Sequence, residues 1–152
     1  MVRVIRLGAG DEALAERVVR TLKSETPADV LARLGKEQLG KFLSYGHNYF
    51  LVALADDRPA GFALGYQLMR VDRDQDMMLL YEIVVDERNR DQGVGTFLIN
   101  ELKAICRENR IMKMWVLTNK SNVAATALYK KTGGAEDKSG DEVTFTYFPD
   151  FE

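Results

Sequence analysis

The sequence predicts one domain of the mixed α/β (α+β) class, with helices covering both faces of a single mixed sheet. Its 152 residues fit one domain. Hydrophobic residues make up 46% and charged residues 29%, which is the balance of a folded globular protein. Segments with strand periodicity alternate with segments of helical periodicity, and no repeat or Pro/Ser-rich linker divides them. We therefore expect residues 1–152 to form a single domain.

The first third of the chain predicts one strand and three helices. Apolar and polar residues alternate over residues 2–7, which indicates a strand. Residues 11–25 place apolar side chains on one helical face and acidic residues in the first turn. Two further helices are expected, over residues 26–35, where a proline suits the first turn and a glycine the end, and over residues 36–44.

The middle of the chain predicts three strands and a long helix. Two apolar segments flank the turn sequence "DDRPAG", so residues 49–69 are expected to form a β-hairpin. Residues 77–85, "MMLLYEIVV", are nearly all apolar apart from Glu82 and predict a strand buried on both faces. From Val94 onward apolar residues recur at helical spacing, which predicts a helix.

The last third predicts a strand, a helix and a closing strand. Residues 112–119 have the composition of a central strand. Asn122 can cap a helix over residues 123–132, which Gly133 would end. Residues 142–148 predict a final strand, so the expected sheet has six strands.

Composition narrows the possible function classes. The net charge is -2, so there is no basic surplus of the kind that nucleic-acid binding favours. With one cysteine, Cys106, and one histidine, His47, an internal disulfide and a Cys/His zinc cage are excluded, and we predict no metal site. No apolar stretch is long enough to span a membrane, and the start lacks a signal-like segment. We expect a cytoplasmic protein that binds neither nucleic acid nor membrane.

Residues 88–96, "RNRDQGVGT", form what we call the glycine loop, at the start of the helix that follows the apolar strand. The first N–H groups of a helix have no partner within it, and the helix dipole makes that end positive. Gly93 and Gly95 lack side chains, so a pyrophosphate could approach the backbone, and Arg88 and Arg90 could add charge. On the loop alone, a tight turn with two solvated arginines is an equal alternative.

Two common nucleotide-binding motifs do not fit the glycine loop. A Rossmann fingerprint needs a third glycine three residues after Gly95, and that position is Leu98. A P-loop needs Gly-Lys-Ser/Thr, which the chain lacks. A dinucleotide-binding fold and a nucleotide triphosphatase are therefore both disfavoured.

A second segment, residues 122–133, has the pattern N-x-x-A-x-x-L-Y-x-x-x-G. Together with R-x-x-G-x-G in the glycine loop, it resembles the GCN5-related N-acetyltransferase (GNAT) superfamily over nearly the whole chain, although Gly134 stands where many members have a large apolar residue. The resemblance implies a mostly antiparallel sheet of six to seven strands and acetyl-CoA as cofactor. The cofactor-binding residues that it implies are Ile83, Val84, Val85, Arg90, Asp91, Gln92, Gly93, Val94, Gly95, Thr96, Asn122, Ala125 and Tyr129.

Acetylation of an amine needs a base for the ammonium, a donor for the thioester oxygen and a proton for the thiolate. Glu82 is the candidate general base, because a carboxylate in an apolar strand is costly unless it is paired or faces a cleft. A structural glutamate bonded to a neighbouring helix is the alternative. Tyr129 is the candidate acid, with core packing as its alternative, and a backbone N–H near residues 83–85 could serve the thioester oxygen.

The acceptor is suggested by a further resemblance. Residues 83–103 are similar to the corresponding stretch of aminoglycoside 3-N-acetyltransferases, which implies acetylation of an aminoglycoside at its 3-amino group, antibiotic resistance and a homodimer. Another small amine or a protein amine remains open, as does a non-catalytic acyl-CoA-binding module. Acidic residues would attract a polycationic acceptor, and the candidate substrate-binding residues are Asp72, Asp74, Glu82, Asp150 and Glu152.

Overall fold

The computed structural model of the chain describes residues 1–149. In this range the chain forms five strands, five α-helices and one short 3-10 helix at Glu87–Asn89. In chain order the elements are β1 (Val2–Leu7), α1 (Glu12–Leu22), α2 (Ala28–Ala32), α3 (Lys36–Ser44), β2 (Asn48–Ala55), β3 (Arg58–Leu68), β4 (Met77–Val85), α4 (Val94–Glu108), β5 (Lys113–Trp115) and α5 (Val123–Lys131).

The strands form one mixed sheet in the order β1-β2-β3-β4-β5. The first four strands are antiparallel neighbours, and β5 is parallel to β4 after the crossover through α4. β5 pairs only with Met77, Met78 and Leu79 of β4. Residues 80–85 of β4 therefore leave an open edge on the β5 side, within the described part of the chain.

Two hydrophobic cores cover the two faces of the sheet, as the sequence predicts. On one face, which we call the α4 face, side chains of α4 such as Leu98 and Leu102 pack against Leu51 and Leu80 of the sheet. On the other, the α1 face, the members of the core are Leu7, Ala15, Val18, Leu22, Leu39, Leu43, Phe50, Val52, Leu54 and Phe62, which come from α1, α3 and the sheet. Both cores are nearly sealed from solvent, so the sheet is a rigid support for residues at its edge.

The prediction of six to seven strands is wrong for the described residues, which form five. The predicted strand at 112–119 shrinks to Lys113–Trp115. Residues 142–148, predicted to be a strand, have no regular secondary structure, and Val143, Phe145 and Tyr147 are 76%, 79% and 85% exposed. An apolar pattern stabilises a strand only where the segment pairs with an edge and packs under a covering face, and this segment does neither.

The helices agree with the predictions except at their ends. The helix predicted over 11–25 stops at Leu22, and the one predicted over 26–35 shrinks to Ala28–Ala32. Pro27 is extended, with φ -52° and ψ 139°, so the chain enters α2 late, and no residue of α2 is buried to hold a longer helix. Among residues 1–149, no helix has the length and apolar character needed to cross a membrane.

Candidate active site

A β-bulge in β4 decides where Glu82 points. In the pairing with β3, Glu82 lies opposite Leu64 while Leu80 lies opposite Gly65. Tyr81 is therefore an extra residue on β4, inserted between two regular pairs. A bulge shifts by one the alternation of side chains between the two faces of the sheet.

The packing on both faces shows this shift. Leu80 belongs to the core of the α4 face, and Ile83 and Val85 pack against the same core, three and five residues further on. Val84 packs on the α1 face. Because side chains alternate again after the bulge, Glu82 shares the α1 face with Val84. If β4 kept all its residues but had no bulge, Glu82 would follow Leu80 by two residues in regular alternation and would share the apolar α4 face with it.

On the α1 face Glu82 contacts an ammonium group. Its Oε1 lies 2.6 Å from Nζ of Lys23, and the side chains of Glu82 and Lys23 are 26% and 31% exposed. Lys23 is the C-cap residue of α1, and its backbone N–H donates to the Val19 carbonyl at 2.9 Å. The structural alternative raised by the sequence, a bond to a neighbouring helix, is thus present. Its partner, however, is an amine, which is the kind of group that a general base must contact.

Two cavities open on the same face. One of about 230 Å³ lies between α1, α2 and α3, with Val19, Lys23 and Leu34 in its wall. The other, of about 600 Å³, is lined by residues of α3 and the sheet that include Phe42 and Tyr66. Gln38 lines both cavities, so they are adjacent, and their linings include Lys23 and Tyr66, both neighbours of Glu82. We call these two adjacent cavities the acceptor groove; their volumes leave room for part of a small molecule or a peptide end.

Two tyrosines stand beside Glu82. The rings of Tyr66 and Tyr81 are 5.4 Å apart and nearly perpendicular, at 78°. Tyr81 is 62% exposed and forms an aromatic wall at the bulge. Burial raises the pKa of the Tyr66 phenol, and the neighbouring Tyr81 and Glu82 raise it further, so this hydroxyl stays a hydrogen-bond donor at neutral pH. We call Lys23, Tyr66, Tyr81 and Glu82 the α1-face cluster.

The glycine loop lies at the other end of the open edge of β4. Gly93 is the N-cap residue of α4 and has φ +78°, a left-handed conformation that favours glycine. The first bond of the helix runs from the Phe97 N–H to the Gly93 carbonyl, at 2.9 Å. The N–H groups of Val94, Gly95 and Thr96 therefore have no partner inside the helix. Helix N-termini with this geometry can accept an anion.

The two glycines of the loop differ in role. An added Cβ on Gly93 would meet only Phe97, at 3.7 Å, so the backbone is accessible there. An added Cβ on Gly95 would lie 2.7 Å from Cδ2 of Leu128, on α5. The missing side chain of Gly95 thus lets α5 pack against the first turn of α4. Close approach of a ligand, the reason the sequence suggests, is not needed to explain it.

The two arginines also differ. Arg88 donates to both carboxylate oxygens of Asp86, with Nη2 to Oδ2 at 2.9 Å, and hydrogen bonding from Arg88 lowers the pKa of Asp86. Arg90 is 61% exposed at its side chain and only 4.0 Å from Glu87, at the limit of an ion pair. Arg90 is the cation of this pair that remains available to an anion.

Asp91 and Gln92 complete the loop. Asp91 has φ +63° and is exposed, which orients the chain toward Gly93. Gln92 accepts from the Asn89 side chain at 3.3 Å and donates to the Arg88 carbonyl at 3.4 Å. These internal bonds fix the loop before any ligand is present.

α5 holds the remaining predicted residues. Asn122 caps the helix as predicted, because its side-chain oxygen accepts from the Ala125 N–H at 3.1 Å. Tyr129 is half-buried and packs against the core of the α4 face, and burial raises the pKa of its phenol. The Gly134 N–H donates to the Tyr129 carbonyl at 2.8 Å, and a Cβ on Gly134 would lie 2.9 Å from that oxygen. This tight closure explains why position 134 favours a glycine.

The two candidate catalytic side chains approach β4 from opposite faces. Glu82 lies on the α1 face, while Tyr129 packs with Ile83 and Val85 on the α4 face. Only a group that lies at the open edge of β4, where β5 no longer pairs, could meet both. The glycine loop, this edge and the bulge thus define one path along the strand.

The acidic residues proposed to bind substrate are placed less favourably. Asp72 accepts two bonds from Arg70, at 2.7 and 2.8 Å, so its charge is already matched. Asp74 is exposed in the same loop between β3 and β4. Asp150 and Glu152 lie outside the described residues. No group of three His, Cys, Asp or Glu side chains within residues 1–149 is arranged to hold a metal.

Comparisons of the sequence with known proteins give two findings. A model of the acetyltransferase (GNAT) family matches residues 15–134. The [ribosomal protein bS18]-alanine N-acetyltransferase of Salmonella typhimurium is 31% identical over 93 residues, which are 60% of this chain and 59% of that protein. The chain thus matches about three fifths of the length of this curated relative.

Comparisons of the structure give solved relatives over nearly the full length. The aminoglycoside acetyltransferase meta-AAC0020, from an uncultured soil metagenomic sample and in complex with trehalose, has a TM-score of 0.87 at 23% identity and covers 98% of this chain and 97% of that chain. AAC(6')-Iy, in complex with the bisubstrate analog CoA-S-monomethyl-acetylneamine, has a TM-score of 0.75 at 18% identity, with 99% of both chains covered. At these identities the likeness shows the fold.

Proposed function

The chain belongs to the acetyltransferase (GNAT) family, whose members use acetyl-CoA. From this premise we propose that it transfers acetyl from acetyl-CoA to a primary amine of an aminoglycoside, at the 3-amino group, with Glu82 as general base. The amine would attack the thioester directly, which needs no cysteine intermediate. Cys106 is buried in the core and burial raises the pKa of its thiol, so it is poorly suited to act as a nucleophile.

The observation that carries the proposal is the placement of Glu82 by the bulge. A carboxylate from an otherwise apolar strand contacts an ammonium at 2.6 Å, and its neighbours Lys23 and Tyr66 each line a cavity on the same face. That distance is within hydrogen-bond reach, the first requirement for a general base. An acceptor ammonium that replaced Lys23 at this contact could lose its proton to Glu82.

The residues on the donor side fit the cofactor. When bound, acetyl-CoA supplies the activated acetyl group. The N–H groups in the first turn of α4, which have no partner within the helix, suit its diphosphate. Arg90 is the available cation beside them. The open edge of residues 80–85 offers backbone donors and acceptors to an amide-containing arm, as a neighbouring strand would.

Tyr129 is proposed to donate a hydrogen bond to the leaving sulfur. Its phenol is half-buried, and burial raises its pKa above that of an exposed tyrosine. A free thiol has a pKa of about 8.5, so complete proton transfer from this phenol to a thiolate would be uphill. Donation from a fixed hydroxyl, with the proton finally supplied by solvent, is the role that fits.

Two structural relatives support an aminoglycoside as acceptor. Meta-AAC0020 is an aminoglycoside acetyltransferase that has also been solved with sisomicin, and AAC(6')-Iy was solved with an acetylneamine conjugate. The 3-amino position is proposed from the resemblance of residues 83–103 to aminoglycoside 3-N-acetyltransferases. Tyr81 could pack against a sugar ring beside the base.

A protein amine is the second candidate acceptor, and two observations favour it. The Salmonella typhimurium relative is named as an alanine N-acetyltransferase of a ribosomal protein. The linings of the two cavities contain Lys23, Arg33 and Lys41, whose positive charges do not favour a polycation. A peptide end carries a single ammonium and would meet less repulsion.

A thiol-release screen tests the proposal. The purified protein would be given acetyl-CoA with aminoglycosides, polyamines or peptides with an N-terminal alanine, and the product position would be mapped by NMR. Release with an aminoglycoside, and acetyl on its 3-amino nitrogen, is the expected result. Release only with peptides would select the second candidate. Binding of acetyl-CoA without release in any arm would indicate a non-catalytic module.

The chain is also proposed to form a homodimer. Val143, Phe145 and Tyr147 expose apolar surface with strand-like alternation, and such a patch favours contact with another protein surface. Phe145→Asp should shift the molecular mass in light scattering from dimer to monomer, whereas Lys138→Asp, in an exposed position nearby, should not. A monomeric wild-type protein would contradict the proposal.

A further inference from the structure

We propose that Lys23 is a self-acetylation site, which receives the acetyl group when acetyl-CoA is bound and no acceptor amine is present. The inference rests on the proposed function in one respect, the role of Glu82 as base. It does not depend on which amine is the physiological acceptor.

Lys23 already makes the contact that an acceptor amine needs. Its Nζ lies 2.6 Å from Oε1 of Glu82, and both side chains are largely withdrawn from solvent. The backbone of Lys23 is anchored at the end of α1 by its bond to Val19, so the amine is held on the α1 face. The side chain also forms part of the wall of the 230 Å³ cavity. The amine closest to the base is therefore one of the chain's own.

The expected path of the acetyl donor also leads to Glu82. The glycine loop and the open edge of residues 80–85 run along one side of β4, and the bulge at Tyr81 and Glu82 lies at the end of that edge remote from the loop. A ligand anchored at the loop and extended along the edge would therefore present its distal end beside Glu82. In acetyl-CoA the distal end is the thioester.

The reaction balances without any further reagent. Glu82 takes one proton from the Lys23 ammonium, and the nitrogen lone pair forms a bond with the acetyl carbon of acetyl-CoA. The carbon–sulfur bond breaks, and the electron pair leaves on sulfur. The second nitrogen proton passes to the thiolate, directly or through solvent, to give coenzyme A and an amide on Lys23.

Another lysine of the chain provides an internal reference. Lys130 is also paired with a carboxylate, Glu136, but at 3.8 Å and with side chains that are 60% and 40% exposed. This more exposed amine should react faster with any non-enzymatic acetyl donor. A preference for Lys23 over Lys130 would therefore require that the acetyl group be delivered by a cofactor bound at the glycine loop and the open edge of β4.

Acetylation would change the α1-face cluster. The ammonium becomes a neutral amide, so Glu82 loses its ion pair with Lys23. Its carboxylate is then available to other hydrogen-bond donors. The added acetyl group also fills part of the adjacent cavity. Self-acetylation would thus alter the acceptor groove without touching the glycine loop.

The test is peptide mapping of the wild-type protein by mass spectrometry after incubation with acetyl-CoA. The expected result is an acetyl group on Lys23, at least about tenfold more abundant than on Lys130, and reduced about 100-fold in Glu82→Gln, as loss of a general base would predict. With acetyl phosphate, which lacks the coenzyme A anchor, the preference for Lys23 should disappear. An unmodified Lys23, or a preference that persists with acetyl phosphate, would overturn the proposal.

A second readout needs no acetyl donor. In the free protein, the Lys23 ammonium should give an NMR signal with slowed hydrogen exchange, which Glu82→Gln abolishes and Glu37→Gln leaves in place. Lys23→Arg should remove the modification without moving it to another lysine. If acetyl-CoA binds and an acceptor amine is turned over while Lys23 stays unmodified, this inference fails and the proposed function stands. If Lys23 is acetylated but no added amine is acetylated, the proposed acceptor is wrong and the self-acetylation proposal stands.

Discussion

The glycine loop and the α1-face cluster are built in different ways. The loop is a contiguous run of residues, and its chemistry comes from main-chain N–H groups fixed by Gly93 and the start of α4. The cluster joins side chains from the C-cap of α1, from β3 and from β4 that lie up to 59 residues apart, from Lys23 to Glu82. One region depends on backbone conformation and the other on side-chain identity.

This difference predicts a separation of kinetic effects. Substitutions in the glycine loop should change the KM for acetyl-CoA, and substitutions in the α1-face cluster should change the acceptor reaction. Tyr129, which belongs to neither region and packs on the α4 face, should change kcat. Four variants test this separation, beginning with the largest expected effect.

Glu82→Gln should lower kcat/KM for the acceptor amine by about 100-fold or more, because the neutral amide cannot take the proton. The KM for acetyl-CoA should stay nearly constant, as measured by thiol release and by calorimetry. Glu37→Gln, which removes an exposed carboxylate of α3, is the matched control and should leave both values unchanged. Full activity of Glu82→Gln across pH would exclude Glu82 as base.

Gly93→Asp should raise the KM for acetyl-CoA by about 30-fold, because a carboxylate at the helix start repels the diphosphate. The variant also suffers backbone strain of about 1 kcal/mol at φ +78°. Gly10→Asp is the control, since Gly10 has φ +100° and open space around it, far along the chain from the loop. It should show a similar loss of thermal stability with an unchanged KM, and equal KM values in both variants would contradict the anion site.

Tyr129→Phe should lower kcat by about tenfold, because the leaving sulfur loses a hydrogen-bond donor. Since burial raises the pKa of Tyr129, the phenol stays protonated below about pH 10. The ratio of wild-type to variant kcat should therefore be constant through the neutral range and fall only at more alkaline pH. A ratio that varies between pH 6 and about 8 would assign the titrating group elsewhere.

Arg90→Ala should raise the KM for acetyl-CoA only about threefold, since an exposed charge contributes little and salt screens it. Arg88→Ala should have a smaller effect, because Asp86 already holds the Arg88 guanidinium. The KM for acetyl-CoA, measured for both variants at low and high salt, would check that Arg90→Ala has the larger effect. A larger effect of Arg88→Ala would mean that its bond to Asp86 opens when the cofactor binds.

Most of the donor side could be predicted from the sequence. The glycine loop, the start of α4 at Val94 and the Asn122 cap depend on local backbone preferences that short patterns carry. The resemblance to N-acetyltransferases is confirmed at the level of the family, and acetyl-CoA is confirmed as the family's cofactor. The assignment of individual residues to catalysis and binding stays a prediction.

The acceptor side could be predicted only in part. Glu82 stands out as a charge in an apolar strand, but its partner Lys23 lies on a distant helix that no local pattern connects to β4. The bulge at Tyr81 leaves one trace in the sequence: Tyr81 and Glu82 are adjacent residues with polar groups in a segment that is otherwise apolar. The strand predicted at 142–148 failed because periodicity carries no information about whether a partner edge exists.

The extra residue in β4 also bears on how related chains are compared. A chain that kept the glutamate and the same number of residues, but paired β4 with β3 without the bulge, would turn that carboxylate toward the apolar interior on the face of Leu80. The glutamate would match in a sequence alignment, but its carboxylate could not act as the base. In this strand, the pairing register with β3 is a better guide to activity than the presence of an acid.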